Sequence, residues 1–173
     1  MVDRHLPIRG ATSDGEDVSV FEVPLGYLTQ LAGWEHFVSS GGTLLRTLGL
    51  GLSEDYRKPW RGKDAVVWRI APDRVLIRSE HPLAITSTSE LAALDLSQAR
   101  VRLRLEGPGT ADLLARLAAL DFSETSFPVG SFAQTGMHQV GILIDRLSQQ
   151  EFEILIPTTW APSLVGLVGA HLH

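Results

Sequence analysis

The sequence contains no cysteine and no asparagine. Without cysteine there is no disulfide, no thiolate nucleophile, no iron–sulfur cluster and no cysteine-type zinc site. Small secreted domains often rely on disulfides, so their absence points to a reducing, cytoplasmic setting. Without asparagine there is no N-glycosylation acceptor. A basic surplus is missing as well. The formal net charge is −5 over 173 residues, so the positive patch that a phosphate backbone requires is not there, and nucleic acid is not an expected partner. No apolar run approaches the roughly 20 residues that cross a bilayer, and no membrane partner is expected. The stretch Ser163 to Leu172 reads as an amphipathic terminal helix, and Met1 to Gly15 lacks the apolar centre of a signal peptide.

What is present is ordinary for a globular chain: 44% hydrophobic and 20% charged residues, in a length that can bury a self-sufficient core. Residues 1–17, rich in Asp, Glu and Gly, read as a flexible N-terminal arm, and residues 18–173 as a single domain. Val18 to Val23 suits a short strand. Tyr27 to Leu50 spaces Leu28, Leu31, Phe37, Leu44, Leu45 and Leu48 as a helix would, with Gly41-Gly42 splitting it in two. A loop from Gly49 to Gly62 follows. Ala65 to Ile70 and Val75 to Ile77 flank the turn Ala71-Pro72-Asp73-Arg74 as a β-hairpin. His81 to Ala93 reads as a helix. Val101, Leu103 and Leu105 alternate with Arg100, Arg102 and Arg104, the pattern of a half-buried strand. Thr110 is placed to cap a helix whose stripe is Leu113, Leu114, Leu117 and Leu120. A return strand begins in Phe127 to Gln134, Val140 to Ile144 and Phe152 to Ile156 form a second hairpin, and Thr158 or Thr159 caps a closing helix.

A repeat runs through this order. Leu44-Leu45-x-x-Leu48 precedes Leu52-Ser53, a Trp-bearing loop and a hairpin; Leu113-Leu114-x-x-Leu117 precedes Phe122-Ser123, a Pro-Gly loop and a hairpin. The copies, about 28–97 and 98–173, predict an α+β fold: antiparallel sheet from two pseudo-repeated helix/β-hairpin units, with helices packed on it.

The search for chemistry returns no site. There is no Gly-x-Ser-x-Gly elbow, and Ser39-Ser40-Gly41-Gly42 reads as a helix break. Gly62-Lys63-Asp64 lacks the earlier glycine and the hydroxyl of a phosphate loop. The six histidines are scattered, and Glu35-His36 diverge on a helix, so no metal site is expected. Glu106, Asp121, Asp145 and Glu153 form no pair at a diagnostic spacing and are expected to be structural. No catalytic, cofactor-binding or metal-binding residue is assigned. The aromatics are more informative. Tyr56 and Trp60 share a loop with Arg57, Lys58 and Arg61, and Trp34 lies outside it; such mixtures are common in interface hot spots. Tyr56, Arg57, Trp60, Arg61 and Trp34 are therefore the candidate partner-interface residues, with Trp60 equally able to fold back onto its own domain.

Leu105-Glu106-Gly107-Pro108, Leu113-Leu114, Leu120-Asp121, Phe127-Pro128-Val129-Gly130 and Ala133-Gln134-Thr135 resemble the signature of the gamma subunit of heterotetrameric sarcosine oxidase. So do the strands Ile142 to Arg146 and Phe152 to Ile156, the closing helix from Trp160, and, in the first half, Trp68 with Ala71-Pro72-Asp73-Arg74-Val75-Leu76. The resemblance covers about residues 43–172 and is most specific over Phe127 to Thr135. It implies a fold related to the folate-binding domain of the glycine-cleavage T-protein. It also implies alpha, beta and delta partner subunits that hold NAD with tetrahydrofolate, the flavins and zinc respectively, in a complex that oxidatively demethylates sarcosine or a related secondary amine. This chain would then be a non-catalytic assembly subunit in sarcosine catabolism. The alternative from another class is a free-standing tetrahydrofolate-binding one-carbon transfer protein.

Overall fold

In the computed structural model, residues 6–173 are described. In chain order the elements are β1 (Ile8–Ala11), β2 (Asp17–Val23), β3 (Tyr27–Gly33), α1 (Phe37–Thr47), β4 (Trp60–Arg61), β5 (Ala65–Ala71), β6 (Arg74–Ser79) and β7 (Leu91–Asp95), then β8 (Arg100–Glu106), α2 (Thr110–Leu117), β9 (Phe132–Met137), β10 (Val140–Arg146), β11 (Glu151–Pro157) and α3 (Ala161–Ala170). The chain divides into two compact units. One takes in the described residues up to Pro24 together with Ala99–His173, and the other is Leu25–Gln98.

The first unit is a six-stranded sheet in the order β1-β2-β8-β11-β10-β9, every pair antiparallel. Val101, Leu103 and Leu105 point to one face as their alternation predicts, and meet Ile142 and Ile144, Phe152, Ile154 and Ile156 of the neighbouring strands. Helix α2 lays Leu113, Leu114 and Leu117 on that face, and α3 adds Leu164, Val165 and Val168. The second unit is a five-stranded antiparallel sheet in the order β4-β5-β6-β3-β7. Its core joins Leu31, Val67, Val75, Ile77 and Leu91 to Phe37 and Leu45 of α1.

The α+β class and the internal recurrence are as expected, and the recurring path is now defined. Strand, helix and three further strands follow one another as β3-α1-β4-β5-β6 and again as β8-α2-β9-β10-β11. In each copy the first strand pairs with the last.

Several local expectations are corrected. Of the segment read as an arm, Ile8–Ala11 is β1, paired to β2 and closed on its other side by mutual backbone hydrogen bonds between Ala11 and His173 (3.0 Å each); residues 1–5 lie outside the described residues. Tyr27 to Gly33 is a strand, not the start of a helix. Leu28 and Leu31 fall on opposite faces of it and both are buried, so the two-residue period is hidden while β6 and β7 pair on either side. Gly41-Gly42 lies inside one continuous helix; a Cβ at Gly41 would stand 2.8 Å from the Phe37 ring, so the glycine lets that ring lie across the helix. His81 to Glu90 is not helical. Its hydroxyls hold the local backbone in place of a helix: Ser87 Oγ bonds Ala93 N at 2.9 Å, and Thr88 Oγ1 accepts from Glu90 N and Leu91 N. Neither Thr110 nor the Thr158-Thr159 pair caps its helix; Gly109 precedes α2, and a 3₁₀ turn, Thr158–Trp160, precedes α3.

Candidate functional site

Of the four acidic candidates, Glu153, Asp121 and Asp145 are engaged in structure. Glu153 sits on the sheet face opposite the helices. Its carboxylate accepts from Arg102 Nε and Nη2 at 3.0 and 2.7 Å and from Arg104 Nη2 at 2.5 Å. Burial pushes the Glu153 carboxyl up, but the hydrogen bonds from the two guanidinium groups outweigh it and hold the group below its ordinary range. Arg104 is held correspondingly high, chiefly by the bond to Glu153. Asp145 lies beside Glu153 in the β10–β11 register and is buried. Asp121 is exposed and fastens a turn, accepting from Ser126 Oγ at 2.6 Å and Ser123 N at 2.9 Å, which lowers its carboxyl. Glu106 closes β8. Among the described residues no three His, Asp or Glu side chains converge as metal ligands would.

The stretch Phe127 to Thr135 also proves to be architectural. Arg146, at the end of β10, is buried and donates from Nη1 to the carbonyls of Phe127 (2.7 Å) and Phe122 (3.0 Å), and from Nε and Nη2 to those of Ser148 and Gln149 (3.2 Å each). The guanidinium lies 5.0 Å from the Phe152 ring centroid, and Phe122, Phe127 and Phe152 pack together with centroids 5.5 to 6.5 Å apart. Gly130 has φ +85°, and its N–H bonds the Arg146 carbonyl at 2.8 Å. Gly107, in the other part of the signature, has φ +124° and packs its Cα where a Cβ would stand 2.3 Å from the Asp17 carbonyl oxygen. No side chain but hydrogen fits there.

The five interface candidates separate. Trp60 turns inward in β4, pairs with Val67 and packs on the core of its own unit. Gly51 and Gly62 flank its indole, and a Cβ on either would come within 2.5 Å of the ring. Arg57 is exposed in the turn that Asp55 Oδ1 holds by accepting from its backbone N–H at 2.8 Å, and Arg61 is exposed beside Trp60. Tyr56 and Trp34, 46% and 61% exposed, belong to one face. The Arg69 guanidinium lies 4.4 Å from the Tyr56 ring centroid, and the same Arg69 lines a hollow of about 650 Å³ with Trp34, Val38, Pro72 and Asp73. On its other side Trp34 borders a second hollow of about 340 Å³, with Glu35, His36, Ser40, Ser89 and Glu90. Sequence reading missed Val38, 58% exposed, and Arg69. Val67 and Trp68 are both buried along β5, so no alternation marks Arg69, and only its charge could have placed it towards the surface.

Comparison with known proteins adds relatives. No family model matches the chain. It is 32% identical over 98 residues to "Sarcosine oxidase subunit gamma" of Corynebacterium sp. (strain U-96), an alignment over 53% of this chain and 47% of that protein. The chain thus spans about half the length of the curated relative it matches. Its fold matches a chain of the heterotetrameric sarcosine oxidase from Corynebacterium sp. U-96, solved with pyrrole 2-carboxylate, at TM-score 0.75 and 22% identity, covering 92% of this chain and 89% of that one. It also matches the glycine cleavage system aminomethyltransferase T from Bartonella henselae at TM-score 0.60 and 17% identity, covering 96% of this chain and 48% of the other. In sequence the chain is similar to the sarcosine oxidase gamma subunit, and its fold is the one shared by that oxidase chain and the glycine-cleavage T-protein.

Proposed function

We propose that this chain is a non-catalytic assembly subunit of a multi-subunit amine-oxidising flavoenzyme of the sarcosine oxidase type. The observation that carries the reading is the joint one: sequence likeness to a gamma subunit, and a fold match over 92% of this chain to a chain of the assembled oxidase. The engaged state of Glu153, Asp121 and Arg146 supports it, because each has its polar atoms committed to holding the fold. On this reading the flavins, NAD, tetrahydrofolate and zinc belong to alpha, beta and delta partners, and the complex works in the cytoplasm on sarcosine or a related secondary amine. The surface reserved for assembly is the face bearing Tyr56, Arg57, Arg61 and Trp34, with Trp60 anchoring it from within.

The test is co-expression with the large flavin-bearing subunits of the same organism. The reading expects this chain to elute with yellow, flavin-containing protein at fixed stoichiometry. A chain that elutes as a free monomer in their presence would overturn it. Likeness to the T-protein, at 17% identity, concerns fold. A saturable tryptophan-fluorescence response to micromolar tetrahydrofolate from the isolated chain would favour the one-carbon transfer alternative instead.

A further inference from the structure

Trp34 follows β3 directly and leads into α1, with its carbonyl accepting the Phe37 N–H at 3.1 Å. The backbone just before it is fixed too, since Gly33 N–H bonds the Asp73 carbonyl at 2.8 Å and a Cβ at Gly33 would stand 2.7 Å from the Phe37 ring. A large, 61% exposed indole thus springs from a fixed backbone and borders two hollows. Glu35 and Glu90 share one hollow with it, and Glu35 and Asp73 share the other. The cation within reach, Arg69, is turned to the Tyr56 ring and to the Pro72 carbonyl, which it meets at 3.1 Å. Val38 and Pro72 add apolar surface alongside.

An exposed π face edged by carboxylates attracts a cation. A guanidinium or ammonium over the ring gains from the quadrupole, and its N–H groups find charged acceptors beside it. The apolar strip beside the ring suits the methylene stem of Arg or Lys. Trp, Tyr and Arg clustered on a rigid face are also the residues on which binding energy concentrates. From this charge complementarity we infer that the Trp34 face docks an arginine- or lysine-bearing segment of a partner subunit, its cationic group seated on the indole between Glu35 and Glu90. The inference rests on the assembly reading above and specifies which surface is used and what chemistry meets it.

The experiment co-expresses the large partner subunits with this chain and measures its dissociation constant from them at rising salt. Three variants are compared: Trp34→Ala, the double reversal Glu35→Lys with Glu90→Lys, and Trp160→Ala as a control on an aromatic of the other unit, 52% exposed. All four positions are solvent-facing, and unchanged thermal unfolding confirms intact folds. The expected result is at least tenfold weaker binding for the first two, no change for the third, and wild-type affinity that falls with salt. Equal binding by all variants overturns the inference and leaves the assembly reading standing. Weaker binding by Trp34→Ala with no effect of the charge reversal or of salt overturns the cationic segment. A wild-type chain that binds no partner overturns both readings. A wild-type chain that dimerises through Trp34, seen by analytical ultercentrifugation against Trp34→Ala, overturns the hetero-partner in favour of a second copy.

Discussion

The strand–helix–strand–strand–strand path runs twice through the chain, and the copies differ most in the segment after the helix. After α2, that segment folds inward. Phe122 and Phe127 join Phe152 in the core, and Arg146 gathers the carbonyls of both. After α1, Leu50 enters the core and Leu52 packs against it, but the middle of the segment stays at the surface. Residues Glu54 to Lys58 are exposed, and the segment is held by the Trp60 indole between two glycines and by one stack of Arg69 on Tyr56. The same topology has thus been closed in one copy by a buried cation and in the other by an aromatic plug. The first solution turns both phenylalanines of its segment inward and leaves Val129 40% exposed, whereas the second leaves Tyr56 outward, on the face that also bears Val38 and Trp34.

The largest expected effect comes from breaking the first solution. In Arg146→Met the buried carbonyls of Phe122 and Phe127 lose their donor, and each such group costs about 1–3 kcal/mol. Urea unfolding is expected to show a loss of about 3–4 kcal/mol, a large share of the 5–15 kcal/mol typical of a domain. Arg69→Met, the counterpart test, removes a surface cation–π contact and is expected to cost below about 1 kcal/mol. Equal losses would erase the distinction between the two copies.

Next in size is the Glu153 cluster, in which one carboxylate meets Arg102 and Arg104. Glu153→Gln leaves Arg102 and Arg104 without their shared anion. The expected cost is about 2–3 kcal/mol, below that of a fully buried pair because the Arg104 side chain is 29% exposed. The sign with pH follows from linkage. The folded carboxyl titrates below its unfolded value, so its contribution is complete above the unfolded pKa, ordinarily about 4.3, and is lost as pH falls through the folded value. Wild type and Glu153→Gln stabilities should therefore converge on acidification and stay separated near neutrality.

Helix α1 supplies a smaller contrast between two adjacent glycines. Gly41→Ala would drive a Cβ to 2.8 Å from the Phe37 ring, while a Cβ at Gly42 meets only Arg46 Nη1, at 3.8 Å. Gly41→Ala should lose about 1–3 kcal/mol through overpacking. Gly42→Ala should gain up to about 1 kcal/mol from helix propensity alone. Calorimetry that moved both transitions the same way would contradict the packing described.

These cases also show where the sequence was readable. The alternation Val101-x-Leu103-x-Leu105 fixed β8 because one face of it is polar. Tyr27 to Gly33 misled because both faces are covered, so Leu28 and Leu31 mimicked a helical spacing. Gly41-Gly42 looked like a break because paired glycines weaken a helix, while the ring that needs Gly41, Phe37, stands one turn earlier in the same helix. For the interface, the residue types were legible but their grouping was not. Tyr56 and Trp34 lie 22 positions apart, and only the fold of β5 brings Arg69 between them. Trp60 was undecidable for the same reason, since its packing depends on Gly51 and Gly62 together.

The smallest effect is expected at the β9–β10 turn. Met137 pairs with Val140 across His138-Gln139, and both central residues have positive φ, +47° and +69°. This is the geometry of a type I′ turn, whose favoured second residue is glycine. The equivalent β4–β5 turn in the other copy also has two central residues, Lys63-Asp64, and is closed by Gly62 N–H on the Ala65 carbonyl at 2.9 Å; the flanking glycine serves the Trp60 ring, not a left-handed φ. A non-glycine residue held left-handed costs about 1–2 kcal/mol. Gln139→Gly should recover that cost in the folded state and lose about 0.5–1 kcal/mol to the freer unfolded chain. The net expectation is a gain of about 0.5 kcal/mol, read as a melting rise of a few degrees at most. Gly62→Gln, the reverse exchange in the other copy, should instead destabilise, because its Cβ would meet the indole at 2.5 Å. If Gln139→Gly also destabilised, the turn would not carry the strain its dihedrals indicate.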